Sequence, residues 1–401
     1  MKILFLSNKV PLNPKDGGSL AMLNMMKGLK GVGAEISLFS INTKKHFVKY
    51  ETIKDDSNEL FRNSEYVYLD TDIKLSKAFF NLFTSKSYNI SRFDSPKVAD
   101  TLRNFLKDKS FDIVQFEGLY MSMYIPILKK HLPEAKLIYR MHNLEYDVWD
   151  NLAQNASYVK AKYLKILAKR LKRYEINVIP SFDLIVPLSE SDDFKLKKIT
   201  NSPSFISPIG LKIPEDIKPK GNLNTLFFIG ALDWKPNLEG LLWFLNNIWK
   251  PIHKHFPELK FVIAGRNTPS EIYKYNKVHN IEVIGEVASA SQFIQENDVM
   301  LVPILSGSGV RVKVLEGLKH GKCIISTSKG VEGIKIKHKE HYLEANNTDE
   351  FIQAFTLLKS VKYRKKLQIT SKKYAIENYD YLMISKRLYR FYSDFLNFNF
   401  C

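Results

Sequence analysis

The sequence predicts an α/β fold of two doubly wound domains, each built on a parallel sheet. Its length of 401 residues exceeds one ordinary hydrophobic core and suits two domains of this class. Short apolar runs alternate with helical patterns along the chain, which is typical of a parallel sheet covered by helices on both faces. The same alternation starts again near residue 224, after a segment with several prolines.

Each half of the chain supplies its own series of strands. In the first half, we expect strands at 2–7, 34–41, 112–118, 136–143 and 182–190, with a helix at 20–33. In the second half, we expect strands at 224–232, 260–267, 281–287, 298–304 and 322–327, with a helix at 238–256. The expected domains are Rossmann-like. The first domain comprises residues 1–207 together with a C-terminal helix at 379–401. The second domain comprises residues 223–378, and a linker at 208–222 connects the two.

Composition limits the classes of protein to consider. The two cysteines, Cys323 and Cys401, suggest neither a disulfide framework nor a metal site, which fits a reducing cytoplasm. No apolar run reaches the roughly 18 residues of a membrane-spanning helix, and the opening apolar run before Ser7 is too short for a secretory signal. The net charge of +18 favours a polyanionic partner: nucleic acid, an anionic membrane surface or a phosphate-bearing substrate.

The clearest candidate for chemistry lies at 298–327. A predicted buried strand runs into the glycine-rich turn Ser306–Gly309, and a helix begins directly after it. Such a turn lets backbone amides approach an anion, and a helix N-terminus adds positive potential. Lys313 or Arg311 suits the diphosphate of a nucleotide, and Glu316, on the same helical face as Lys313, suits its ribose. The alternative is an ordinary connection with a solvated, basic first turn.

These residues also carry a family resemblance. The segment GSGVRVKVLEGLKHGKCIIST at 307–327 resembles the signature strand-loop-helix of family 4 of the retaining GT-B glycosyltransferases, or glycosyl transferases group 1. The segments at 140–149, 227–245, 261–267 and 284–287 agree with that family in the same order. The resemblance implies two facing Rossmann-like domains with a cleft between them. It also implies transfer of a sugar from a nucleotide-sugar donor, with retention of configuration and without a metal or another cofactor.

The resemblance assigns the donor site mainly to loops of the second domain. Glu316 matches the carboxylate that holds the donor's ribose, whereas Ser308 stands where the family has a second Glu that touches the donor sugar. The backbone amides around Ser308 are expected to replace that acid, and the base is expected between two loops that follow neighbouring strands. The residues predicted to bind the donor are Gly17, Gly18, Lys235, Gly265, Arg266, Gly285, Val287, Gly307, Ser308, Gly309, Val310 and Glu316.

Basic residues and one histidine are the candidates for catalysis. The charge on the diphosphate is assigned to Lys235, Arg266, Arg311 or Lys313, without a ranking. His142 ends a predicted strand of the first domain, and resembling enzymes have a His at this place that contacts the donor sugar. The alternative for a single His is an ordinary core or surface residue. The predicted catalytic residues are His142, Lys313 and Arg311.

Two further features of the first domain are weaker signals. Gly17 and Gly18 follow the first strand and permit close backbone approach to the donor phosphates, although a turn alone also explains such a pair. Glu117 ends another predicted strand on the same edge of the sheet. We therefore place Glu117 on the acceptor side of the site.

The acceptor is expected to be a glycan or a lipid-linked molecule in cell-surface polysaccharide or glycoconjugate synthesis. The basic helix at 158–175 is either an interfacial helix on anionic lipid at the inner face of the membrane or an ordinary helix with one packed face. Alternatives to the transferase are a nucleic-acid-binding protein, a non-catalytic nucleotide-sugar-binding protein and a GT-B epimerase. Dispersed basic residues, with no nucleic-acid-binding motif, argue against a nucleic-acid partner.

Overall fold

The computed structural model describes residues 1–397 apart from 13, 15–16, 50, 52–58, 73–80, 82, 155–157, 215–222 and 308–310. The chain divides into two compact units. Unit 1 comprises Met1–Gly210 and Tyr381–Cys401, and unit 2 comprises Leu211–Asp380. The C-terminal helix is therefore part of unit 1. Most of the expected linker, from 215 to 222, lies outside the described residues.

The described part of unit 1 contains one parallel sheet of six strands. The strands are β1 (Lys2–Ser7), β2 (Glu35–Thr43), β3 (Asn63–Leu69), β4 (Ile113–Glu117), β5 (Lys136–Met141) and β6 (Leu184–Pro187). Their order is β3-β2-β1-β4-β5-β6, so the direction of winding changes between β1 and β4. This is the doubly wound topology predicted from the apolar runs. The sequence analysis missed β3, an edge strand whose residues are mostly half-buried.

Helices cover both faces of the first sheet. They are α1 (Gly17–Gly31), α2 (Tyr88–Ser91), α3 (Pro96–Leu106), α4 (Ile125–His131), α5 (Glu145–Gln154), α6 (Tyr158–Val178), α7 (Glu190–Leu196) and, at the C-terminus, α15 (Tyr381–Asn397). Short 3-10 turns occupy Lys44–His46, Leu119–Tyr124 and Ile179–Ser181. The buried side chains Ile3 and Phe5 pack in the core beneath α1 and α15, whereas Leu4 and Leu6 pack in the opposite core. Burial of both faces explains why β1 is apolar throughout.

The described part of unit 2 repeats this topology. Its strands are β7 (Thr225–Ile229), β8 (Lys260–Ala264), β9 (Ile281–Gly285), β10 (Val299–Val302), β11 (Cys323–Ser326) and β12 (Leu343–Glu344). Their order, β12-β11-β10-β7-β8-β9, again places the change of winding between the first and fourth strands, β7 and β10. The predicted fold class is confirmed in both units. The sequence analysis missed β12, which is only two residues long.

The helices of unit 2 complete its two layers. They are α8 (Lys235–Trp243), α9 (Lys250–His255), α10 (Ser270–Tyr273), α11 (Ala290–Glu296), α12 (Val312–Lys319), α13 (Thr348–Leu358) and α14 (Val361–Tyr379). A 3-10 turn lies at Ser328–Val331, and a π-helical stretch, Phe244–Trp249, joins α8 to α9. Pro251 in α9 has no N–H for the carbonyl of Asn247, which instead accepts a hydrogen bond from Thr348 Oγ1 at 3.4 Å. In the described residues, no helix is long and apolar enough to cross a membrane.

Candidate active site

The strongest candidate site of unit 2 lies where its strand order changes. In doubly wound sheets, ligands bind outside the carboxyl ends of the strands at this point. Here β7 leads into Gly230, and β10 leads towards Gly307 and the start of α12. The side chain of Lys313, in the first turn of α12, returns to Gly230, where a Cβ atom would lie 3.0 Å from Lys313 Nζ. The structure therefore brings the predicted basic residue to the switch point.

Lys313 carries a partly buried charge. Its Nζ donates a hydrogen bond to Asn237 Oδ1 at 2.7 Å and lies 4.6 Å from the ring centroid of Phe228. Burial, with a smaller contribution from the positive charge of Arg311, lowers the pKa of Lys313 to about 7. A bound anion would oppose both effects and favour the protonated ammonium.

Arg311 provides a second cation beside Lys313. It is 5% exposed, its guanidinium carbon lies 5.3 Å from the ring centroid of Trp234, and its Nη2 is 3.4 Å from the carbonyl of Ser306. Burial lowers the pKa of Arg311, although Glu332 opposes this shift. The neighbouring turn needs glycine at 307, because its φ is +88° and a Cβ atom would lie 3.1 Å from Pro236 Cγ.

Glu316 lies one turn after Lys313 on α12. Its Oε2 is 2.6 Å from Lys319 Nζ, whereas its Oε1 is buried and has no hydrogen-bond partner within the described parts of the chain. A buried carboxylate oxygen without a donor is costly. The hydroxyl groups of a ribose would supply the missing donors, so the geometry is compatible with the predicted role of Glu316.

Two predicted glycines hold neighbouring strand ends together. The amide of Gly265 donates to the carbonyl of Gly285 at 2.7 Å, and a Cβ atom at Gly265 would lie 2.5 Å from the carbonyl oxygen of Gly230. Gly285 has a φ of +83°, which disfavours other residues. Val287 lies just beyond it and is half-buried. These glycines bring the ends of β7, β8 and β9 close together, whatever the ligand.

The other predicted donor residues are less centrally placed. Lys235 and Arg266 are exposed and form ion pairs with Glu239 at 3.3 Å and Asp233 at 3.9 Å. Among the four basic candidates for the diphosphate, Arg311 is thus buried, Lys313 is half-buried, and the other two are exposed. The predicted residues Ser308, Gly309 and Val310 lie outside the described residues.

In unit 1, His142 contacts Glu117 at the point where the adjacent strands β4 and β5 end. Glu117 and Arg140 are register partners in β4 and β5, and His142 follows β5 directly. His142 Nε2 lies 2.7 Å from Glu117 Oε2, and Arg140 Nε lies 3.7 Å from the same oxygen. Burial raises the pKa of Glu117, but His142, Arg140 and a hydrogen bond from Gln115 outweigh it and lower the pKa overall.

The Glu117 carboxylate is fully buried, so it faces neighbouring side chains instead of solvent. Gln115 Nε2 donates to Glu117 Oε1 at 2.6 Å, and Tyr392 in α15 donates its hydroxyl to Gln115 Oε1 at 2.9 Å. The sequence analysis missed this support. Gln115 was detectable as a polar residue two positions before Glu117 on the same face of a buried strand, but Tyr392 lies 277 residues away from Gln115.

A second buried carboxylate anchors the helix that follows His142. Glu175 in α6 accepts hydrogen bonds from the backbone N–H groups of Glu145 and Tyr146, each at 3.1 Å, and so caps the start of α5. Burial raises the pKa of Glu175 to about 8 against the effect of these two donors. Tyr120 donates its hydroxyl to Glu145 Oε2 at 2.7 Å. The sequence analysis also missed Glu175.

Gly17 and Gly18 are the first two residues of α1, which therefore begins three residues before the predicted start at Leu20. Both are half-buried. Their place at the N-terminus of a 15-residue helix, after the loop that follows β1, is compatible with the predicted contact to an anion. The roles of Gly17 and Gly18 stay predictions.

Glu117→Gln should destabilise unit 1 by about 3–5 kcal/mol at pH 7, because it leaves the buried Arg140 guanidinium without a counter-charge. Adding Arg140→Met should recover a large part of this loss. Since the folded-state pKa of Glu117 lies below its ordinary value of 4.5, the wild-type stabilisation should be present above that pH and disappear as the pH falls through the lowered pKa. Urea unfolding of both variants measures these effects. A double variant no more stable than Glu117→Gln would contradict the account.

Comparison with known proteins identifies relatives of this chain. Residues 224–360 match the family model described as Glycosyl transferases group 1, which covers most of unit 2. A Klebsiella pneumoniae protein, named "Uncharacterized 44.6 kDa protein in cps region", is 27% identical over 398 residues, which is 94% of this chain and 96% of that protein. This similarity extends over both units.

Solved structures share the fold of the whole chain. Sucrose-phosphate synthase from Thermosynechococcus elongatus matches with a TM-score of 0.68 at 12% identity, covering 99% of this chain and 100% of that one. Anabaena Alr3699/HepE in complex with UDP matches with a TM-score of 0.64 at 11% identity, covering 98% and 100%. The family match in unit 2 and the fold shared by both units agree with the resemblance seen in the sequence: unit 2 matches glycosyl transferases group 1, and the chain as a whole has the fold of these solved structures.

Proposed function

We propose that this chain is a glycosyltransferase that transfers a hexosyl or related group from a nucleotide-sugar donor to a glycan or lipid-linked acceptor in the synthesis of a cell-surface polysaccharide. One observation carries the proposal. On α12, the Lys313 ammonium and the unpartnered Glu316 Oε1 lie one helical turn apart at the switch point of unit 2. A nucleoside diphosphate offers both missing partners, phosphate charge for Lys313 and ribose hydroxyl groups for Glu316.

UDP is the nucleotide that we propose for the donor. The similar structure of Alr3699/HepE has been solved with UDP and with UDP-glucose. The relative in a cps region supports polysaccharide synthesis as the context, because it covers nearly the whole chain.

The mechanism that we propose places the leaving diphosphate against Lys313, Arg311 and the N-terminus of α12. Positive groups that are already in place stabilise the charge that develops on a leaving group. This arrangement would serve transfer with retention and without a metal ion, as the family resemblance implies. Ser308, which lies outside the described residues, supplies no carboxylate for the donor sugar, so we assign that contact to backbone amides around it.

We further propose that His142 contacts the donor sugar. Because Glu117 is buried, ionised and 2.7 Å from His142 Nε2, the proton of the neutral imidazole belongs on Nε2. Nδ1 is then the ring nitrogen that remains to accept a hydrogen bond from a substrate hydroxyl. Glu117 thereby fixes the tautomer and the orientation of His142. The assignment of Glu117 to the acceptor side stays a prediction.

Glu316→Ala should weaken UDP binding about 10- to 100-fold, because it removes hydrogen bonds to a charged acceptor. His142→Ala should leave UDP affinity unchanged and lower kcat/KM for UDP release from UDP-glucose by about tenfold or more. Calorimetry and a UDP-release assay measure the two effects. The matched control is Glu282→Ala, an exposed glutamate of the same unit that pairs with Lys260. Equal UDP affinity in Glu316→Ala and Glu282→Ala would refute the donor site.

The exposed face of α6 supports a peripheral contact with anionic lipid. It carries an exposed tyrosine and isoleucine among cations, and the helix's one carboxylate, Glu175, is buried. The exposed residues are Tyr158, Lys160, Lys162, Lys165, Ile166, Lys169, Lys172, Arg173 and Asn177. Arg170 Nη1 donates to the carbonyl of Asn81 at 2.8 Å, so the segment with Phe83, which is 77% exposed, lies beside this helix. Apolar side chains among lysines are typical of interfacial helices.

Lys165→Gln/Lys169→Gln should weaken binding to vesicles of 30% phosphatidylglycerol in phosphatidylcholine about 30-fold, because each lysine near an anionic surface contributes about 1 kcal/mol. Co-sedimentation at 100 mM salt measures the partition. Lys365→Gln/Lys366→Gln, an equal charge change on exposed residues of α14, is the control and should bind as the wild type does. If both pairs weaken binding equally, the contact is a general effect of net charge. Wild-type protein that stays in the supernatant would exclude the contact.

A further inference from the structure

We propose that Asn237 is a positioning residue: it holds the Lys313 ammonium at the switch point of unit 2 without neutralising it, so that the diphosphate of the donor supplies the counter-charge. The inference rests on the proposed function of this site and adds a residue that the sequence analysis passed over. It also predicts that donor binding takes up a proton.

The orientation of the Asn237 amide is fixed by its two neighbours. Asn237 lies in the first turn of α8 and is 4% exposed. Its Oδ1 accepts from Lys313 Nζ at 2.7 Å, and its Nδ2 donates to the carbonyl of Ala231 at 2.8 Å. An ammonium can only donate and a carbonyl can only accept, so the reversed amide would lose both bonds. The side chain thus presents an oxygen, and only an oxygen, to Lys313.

The main chain leaves space for this pair at Gly230. A Cβ atom there would lie 2.8 Å from Asn237 Nδ2 and 3.0 Å from Lys313 Nζ. A Cβ atom this close to the buried amide would force Asn237 to move. Glycine at position 230 is therefore needed to keep the pairing of Asn237 with Lys313. The ammonium therefore lies directly against the backbone beyond β7, at the edge of the sheet where ligands bind.

The carboxylates around Lys313 are engaged elsewhere. On α12, Glu316 pairs with Lys319 at 2.6 Å, and on α8, Glu239 pairs with Lys235 at 3.3 Å. Asp233, in the loop after β7, lies 3.9 Å from Arg266, and Glu332 acts on Arg311. The neighbour that β7 contributes is the ring of Phe228, which lies under Lys313 Nζ. Within the described residues no carboxylate forms an ion pair with Lys313, and its charged neighbour is Arg311.

An amide and a carboxylate in this position would have opposite effects on ligand binding. A carboxylate would pair with the ammonium and raise its pKa, so an incoming diphosphate would have to displace an existing ion pair. The neutral amide fixes the ammonium geometrically but leaves it with a pKa of about 7, lowered mainly by burial. A bound diphosphate would raise that pKa, so binding above pH 7 must be accompanied by proton uptake.

The direction of the pH effect follows from this linkage. Below about pH 7 the free site already carries the protonated lysine, so affinity for the diphosphate should be constant. Above it, affinity should fall by up to about tenfold per pH unit, until the pH reaches the pKa of Lys313 in the complex. UDP-glucose is the suitable probe, because both of its phosphates stay ionised between pH 6 and 9.

The test is calorimetry of UDP-glucose binding from pH 6 to 9, in pairs of buffers with different ionisation enthalpies. At pH 8 the wild type should take up about one proton, and its affinity should be about tenfold lower than at pH 6. Asn237→Asp should bind about tenfold more weakly at pH 6 and take up almost no proton at pH 8. Lys313→Arg, whose guanidinium stays charged, should also take up almost none.

The control Asn246→Asp adds the same charge at an exposed position of the π-helical stretch and should behave as the wild type does. A merely structural role for Asn237 would change affinity without changing proton uptake. The inference is overturned if Asn237→Asp takes up the same number of protons as the wild type. It is also overturned if wild-type affinity is independent of pH. Failure of UDP-glucose to bind the folded wild type at any pH would instead reject the proposed donor, and the inference with it.

Discussion

The Lys313 ammonium is held by an amide oxygen and an aromatic ring, beside a second cation, Arg311. Partial burial of a charge without a counter-ion costs free energy, which the fold of unit 2 must offset elsewhere. Other features of the site serve this arrangement: Gly230 makes space for it and Asn237 orients it. Such a site gains most from a ligand that brings negative charge, and this is the reason that we propose it as the donor site.

The two units share one topology but differ in whether a buried positive charge has a carboxylate partner. Unit 1 compensates the Arg140 charge internally with Glu117, and that pair in turn holds His142. Unit 2 leaves Lys313 without an internal counter-charge in the part of the chain that the structure describes. A compensated pair suits a residue that orients a substrate group, whereas an uncompensated cation suits the stabilisation of a leaving diphosphate. The division of roles that we propose between the units follows from this difference.

Sequence patterns revealed what depends on neighbouring residues and missed what depends on tertiary contacts. Strands buried on both faces, such as β1, are continuous apolar runs and were predicted, whereas the half-buried edge strand β3 and the two-residue β12 were not. Lys313 and Glu316 were detectable because they lie one turn apart on one helix. Asn237 reaches Lys313 across 76 residues, and no spacing rule connects the two.

A crystal structure of the chain with UDP tests the central claim most directly. The account predicts that the diphosphate lies within hydrogen-bond distance of Lys313 Nζ and that a ribose hydroxyl donates to Glu316 Oε1, with Asn237 still bound to the lysine. UDP bound at another place in the chain, with Lys313 and Glu316 both more than 6 Å or so from any atom of it, would contradict the account, since that distance is about the limit of a specific charge contact.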